Sequence, residues 1–119
     1  MEESLGTVTV SPEVLIQLVQ LTALATPGVA RLSRDHPNSV QRLFSGKANE
    51  GVRLALADDA VALDLYVVAE SDVHLLTLGQ TLQREVGRAI HDVVGMQVQE
   101  INIHIQDIAE RVQAVAEQD

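Results

Sequence analysis

The chain has no cysteine among its 119 residues, which excludes disulfides, thiolate zinc sites, iron–sulfur clusters and cysteine nucleophiles together. Tryptophan is also absent, and the aromatic side chains are one Tyr and one Phe. So few rings leave no platform on which single-stranded nucleic acid or a sugar stacks. Positive charge is scarce: eight Lys and Arg against 17 Asp and Glu give a formal charge of −9. Such a protein repels phosphate backbones and anionic lipid surfaces at long range, so no nucleic-acid partner is expected. No apolar run approaches the roughly 20 residues that span a bilayer. Met1-Glu2-Glu3-Ser4 has neither a basic n-region nor an apolar h-region, so a secretory signal is not expected. These absences together predict an acidic cytoplasmic protein with no direct membrane insertion.

What the chain does have is apolar bulk. Residues of that class make up 46% of it, enough for one core in a single domain over 1–119. Thr7-Val8-Thr9-Val10 alternates as a short strand does. Ser11, Pro12 and Glu13 then suit a helix N-cap, first turn and positive dipole end. Val14, Leu18, Leu21 and Ala25 follow at helical spacing, with Leu15 and Leu24 widening the stripe, which predicts a helix over 12–26. Residues 33–51 are rich in loop formers and are expected to be the most mobile part, with Val40, Leu43 and Phe44 forming a buried helical turn.

The alternation from Val52 to Ala69 carries the most information about the fold. With a turn at Asp58-Asp59, Leu56, Leu54 and Val52 meet Val61, Leu63 and Leu65 on one face. The other face pairs Ala55 with Ala62 and Arg53 with Asp64, so both faces are chemically consistent. A long helix is predicted over 72–94, capped by Ser71 or Asp72 and stopped by Gly95, with Leu75, Leu78, Leu82, Val86, Ala89 or Ile90, and Val93 on its stripe. A last strand is predicted over 97–106, with Ile101, Ile103 and Ile105 inward and Glu100, Asn102 and His104 outward. Asp107-Ile108-Ala109-Glu110 resembles a capping box opening a C-terminal helical tail over 108–119. The predicted class is α+β: a small, largely antiparallel sheet made of hairpin 52–69 and strand 97–106, with helices 12–26 and 72–94 packed on one face.

A search for chemistry finds little. His36, His74, His91 and His104 share no metal-ligand spacing, and His104 and Asp107, three apart on a strand, are expected on opposite faces. Gly46-Lys47-Ala48 lacks both the first glycine and the Ser/Thr of a phosphate-binding loop. No dinucleotide fingerprint or nucleophile elbow is present. Asp58 and Asp59 sit at a hairpin tip, where no apolar pocket separates their pKa values. An enzyme, a cofactor and a metal are therefore not expected. Two surfaces are candidates for contact with partners. One is a polar sheet face of Arg53, Asp64, Tyr66, Glu100, Asn102 and His104, if the hairpin and last strand are neighbours. The other is a small basic stripe of Arg84, Arg88 and His91, beside Gln80 on the long helix.

Motifs in this order resemble a known family. They are Ser11-Pro12-Glu13-Val14, Thr26-Pro27-Gly28-Val29, Gly51-Val52, Leu63-Asp64-Leu65-Tyr66-Val67-Val68 and the run from Val98 to Ile108. The chain resembles the alkaline shock protein (Gls-type) family of bacterial envelope stress response proteins over residues 5–108, by order and spacing rather than by any one motif. The resemblance implies a non-enzymatic protein of cell-envelope homeostasis that associates with itself or with protein partners, a membrane-anchor protein among them. It carries over no catalytic residues. It also suggests an alternative, a small-ligand-binding or regulatory accessory protein linked to lipid metabolism. One departure stands out: relatives have a Tyr-Gly turn before the long helix, where this chain reads Glu70-Ser71-Asp72.

Overall fold

The computed structural model describes residues 5–34, 47–49, 51–57 and 60–109. Helix α1 spans Pro12–Ala25, β1 Val29–Leu32, β2 Lys47–Asn49, β3 Val52–Ala57 and β4 Ala60–Glu70. Helix α2 spans Leu75–Ala89 and passes into one wide π-turn, Ile90–Val94, before β5, Gln97–Ala109. The fold is α+β, as the patterning predicts.

Strand β4 organises the sheet. Along one edge it pairs antiparallel with β3, from Ala57↔Ala60 to Val52↔Leu65, and further on with β1, Leu32↔Val67 to Val29↔Ala69. The hairpin register, with Leu54 opposite Leu63 and Arg53 opposite Asp64, is the predicted one. The expected Asp58-Asp59 turn lies outside the described residues. Along its other edge β4 pairs with β5 over its whole length, from Ala60↔Gln97 to Glu70↔Ala109. That pairing is parallel. Parallel neighbours need a crossover, and α2 supplies it, making β4–α2–β5 a βαβ unit in an otherwise antiparallel sheet.

Both helices lie on one face of the sheet. Leu15, Ile16, Val19 and Ala23 of α1 and Leu78, Leu82, Val86 and Ile90 of the α2 segment close over Val52, Leu54, Val61, Leu63, Leu65 and Val67 in a single core. Successive strand residues point to opposite faces, so Arg53, Asp64 and Tyr66 look the other way.

Several local expectations are corrected. Residues 5–10 form no strand; they have no sheet neighbour, and Leu5 and Val8 are about as exposed as in an open chain, at 90% and 94%. Ser11 occupies the N-cap of α1, but its carbonyl, not its hydroxyl, accepts from the turn (Val14 N 2.9 Å). Helix α2 begins at Leu75, three residues later than predicted, because Asp72 has φ 80° and His74 is the cap, its Nδ1 accepting from Thr77 N at 3.2 Å. Gly95 ends the π-turn in the left-handed conformation, as predicted, donating to Ile90 O and His91 O. Strand β5 outruns its predicted end, so Asp107, Ile108 and Ala109 are extended and pair with Val68, Ala69 and Glu70. A helical tail therefore does not open at Asp107; its remainder, 110–119, and the predicted turn at Val40, Leu43 and Phe44 lie outside the described residues.

Candidate interaction surfaces

The parallel pairing of β4 with β5 makes hairpin and last strand neighbours, which is the condition the polar sheet face required. Asp64 lies beside Asn102 and Tyr66 beside His104. Asp64 is the hub: its Oδ2 stands 3.5 Å from Arg53 Nη2 and its Oδ1 2.9 Å from His104 Nε2. The imidazole of His104 stacks on Tyr66 with ring centroids 4.5 Å apart and planes 14° from parallel. Arg53 lies 5.9 Å from the same ring centre. Further out, Asn102 Nδ2 donates to Glu100 Oε2 at 3.2 Å. Arg53 and Tyr66 are buried, at 4% exposure each, while Glu100 and Asn102 are open to solvent. Burial holds the Tyr66 phenol above its ordinary 10.0; the Arg53 guanidinium pulls it partly back, and the Asp64 carboxylate pushes it up again.

Two bulges in β5 shape this face. The register slips between Val61 and Ala62, and again between Val67 and Val68, so Gln99 and Gln106 are the extra residues. The second slip places Asp107 beside Val68, on the face of His104, which corrects the expectation that they lie on opposite sides. Even so, no three His, Asp or Glu side chains among the described residues could hold a metal ion together.

The basic stripe is a separate surface. Arg84 and Arg88 lie on the exposed side of α2, where both meet Glu85, at 3.6 and 3.8 Å. His91 Nδ1 meets Asp92 at 3.1 Å. Solvated pairs of this kind contribute little, about 0–1 kcal/mol each.

Spacing assigns Val14, Leu21, Leu24 and Ala25 of α1 to the core, and the structure corrects that: all four are exposed. Leu15, Ile16, Val19 and Ala23 are inside, while Val14, Leu21 and Leu24 are 48%, 67% and 49% exposed. Sequence spacing misses this because apolar residues run nearly all the way round the helix, and such a pattern does not name its inner side. The surplus itself was the available signal. Open grooves flank the outward face: one of about 430 Å³ between Gln17, Gln20, Leu21 and Leu24 and the β1 residues Arg31 and Leu32, and one of about 480 Å³ running from Leu21 and Ala25 to Thr81 and Glu85 of α2.

Comparison with known proteins agrees with the order of motifs and elements. The model of the alkaline shock protein 23 family matches residues 1–110. The chain belongs to that family. Its description is a cell envelope-related function, and the role of this alkaline shock family protein is accordingly cell-envelope related. The uncharacterized protein YqhY of Bacillus subtilis (strain 168) is 31% identical over 103 residues, covering 85% of this chain and 76% of that protein. Among solved structures, the fold is similar to two variants of the MamM CTD, in a manganese form and a zinc form. Each has a TM-score of 0.51 over 82% of this chain, covering 99% and 87% of its own, at 10% and 9% identity. At that identity the likeness concerns the fold alone. No described helix of this family member is long and apolar enough to cross a membrane.

Proposed function

We propose that this alkaline shock family protein is a non-enzymatic component of cell-envelope homeostasis that works in the cytoplasm by binding other proteins, a membrane-anchor protein among them. The observation that carries the reading is the outward face of α1. Val14, Leu21 and Leu24 stand exposed on a helix whose opposite side is locked into the core, and clustered apolar side chains on a rigid element mark contact sites. The grooves on either side offer pockets for a partner's anchors. The scarcity of catalytic spacings in the sequence and the family's envelope-related description support the same reading.

The alternative, a small-ligand-binding accessory protein for lipid metabolism, has one place to look: an open groove of about 310 Å³ lined by Leu75, Leu76, Gly79, Gln80 and Gln83 of α2 and by Ile103 and Ile105 of β5. Its open shape suits a ligand poorly, because small-molecule sites enclose most of the ligand's surface.

The test is affinity capture with tagged protein from the native host, membrane and soluble fractions kept apart, with a Leu21→Lys, Leu24→Lys variant alongside. Recovery of one specific protein by the wild type and its loss with the variant is the expected result. Equal recovery by both removes α1 as the contact, and a co-purifying small molecule turns the reading to the accessory protein.

A further inference from the structure

The 310 Å³ groove is bordered by a feature that the proposed function does not use. Strand β5 has 13 residues and, among the described residues, pairs with β4 alone. Its second edge is therefore a row of backbone N–H and C=O groups without a ladder, and such an edge is a template for another strand. One of these groups already has a side-chain partner: Gln83 Nε2 of α2 donates to the Ile101 carbonyl at 3.1 Å. That contact shows which groups turn away from β4. They belong to Ile101 and, by the alternation of the regular stretch between the two bulges, to Ile103 and Ile105.

We infer that this edge pairs antiparallel with the same edge of a second copy of the chain, about a two-fold axis at Asn102. The edge is self-complementary. In a continuous sheet inner residues meet inner residues, so the Ile101, Ile103 series of one copy must face that of the other. With Asn102 opposite Asn102, Ile101 meets Ile103 twice and Glu100 meets His104 twice, an opposite-polarity pair repeated by the symmetry. The paired stretch, 100–104, falls between the bulges at Gln99 and Gln106, where β5 runs regularly. His104 Nε2 stands 2.9 Å from Asp64 Oδ1, and an imidazole carrying both ring protons donates Nδ1–H to the incoming carboxylate. The Ile101 carbonyl has a second lone pair and can keep Gln83 while joining the new ladder. On the helix side, Leu75 and Leu76 are 37% and 66% exposed and line the groove with Ile103 and Ile105. Pairing at the edge extends the apolar layer from one copy to the next across that groove. This surface is distinct from the α1 face, and the two inferences stand or fall separately.

The absence of cysteine from the chain makes a direct test possible. Residues opposite each other in a non-hydrogen-bonded antiparallel pair have Cα atoms about 4.5 Å apart, within disulfide range. Asn102→Cys should therefore oxidise to a covalent dimer at low micromolar concentration, while Arg84→Cys, on the exposed side of α2, forms no disulfide between copies. Wild-type protein should give twice 12.9 kDa by light scattering, Glu100→Lys should raise the dimer Kd roughly tenfold, and Leu21→Lys should leave it unchanged. A wild-type mass of one chain at about 100 µM overturns the inference and leaves the edge to an extended segment of a different protein. A dimer that Leu21→Lys breaks and Glu100→Lys spares also overturns it, as does Asn102→Cys oxidising no faster than Arg84→Cys.

Discussion

At the scale of single residues, two backbone positions and one phenol carry most of the constraint. Gly51 has φ 76°, and a Cβ there would lie 2.8 Å from Leu32 Cβ and 3.1 Å from Tyr66 O. Gly51→Ala should cost about 1–3 kcal/mol, read as a shift in denaturation midpoint; an unchanged midpoint would mean that β1 and β3 approach less closely. Asp72 is the second such position, in the turn that leads into α2. Its φ of 80° belongs to the left-handed region, which Asp tolerates better than β-branched residues do. Asp72→Val should therefore lose about 1–2 kcal/mol, and Asp72→Gly should be tolerated. Tyr66 is the one tyrosine of the chain, so its ionisation is readable by ultraviolet absorbance. Because burial raises its folded pKa above the ordinary 10.0, the folded state holds this proton longer than the unfolded one. The stability it contributes is full below pH 10.0 and is lost as pH rises through the folded value. Asp64→Asn, which removes a charge that raises the phenol, should move its titration midpoint down.

Elements are decided by what they pack against. The middle of the α2 stripe names its own inner side: Leu78, Leu82 and Val86 recur at steps of four and are buried, whereas Leu75 and Val93, placed on the same stripe by spacing, are 37% and 71% exposed at its ends. Leu82→Ala should cost about 2–5 kcal/mol in a denaturant titration; a loss under about 0.5 kcal/mol would contradict its place in the core. In α1 the apolar positions continue round the helix, and the choice of Leu15, Ile16, Val19 and Ala23 follows from contacts with β1, β3 and α2. The hairpin β3–β4 was legible to the residue because a short connection and a period of two leave one register that keeps both faces consistent. The direction of β5 was not, since its partner Ala60 lies far back along the chain from Gln97 and the alternation of Ile101, Ile103 and Ile105 suits either direction.

For the molecule as a whole, β4 is the element on which the others depend. It is paired on both edges and covered by two helices on its core face, so opening it means unfolding the domain. Amides of Val61, Leu63, Leu65 and Val67 should exchange with solvent at the slowest, globally limited rate, and those of residues 5–11 at nearly the unfolded rate. Hydrogen-exchange mass spectrometry reads both, and fast exchange in β4 would contradict its central position. The arrangement also separates the surfaces by element. The α1 face and the basic side of α2 belong to the helical layer, the Asp64 cluster to the opposite sheet face, and the β5 edge to the rim between them.

Local patterning alone specifies the α+β class, the hairpin register, the Arg53–Asp64 pair, the stop at Gly95 and the family. Each of these depends on neighbours in the chain or on the order of motifs, and local periodicity and turn chemistry are strong enough to specify them. Tertiary structure decided the buried side of α1, the parallel seat of β5, the bulges that bring Asp107 round to the face of His104, and the extension of β5 through Ala109. Those depend on pairings and packing between segments far apart in the chain, where the free energy of burying one surface rather than another overrides what the local pattern leaves open.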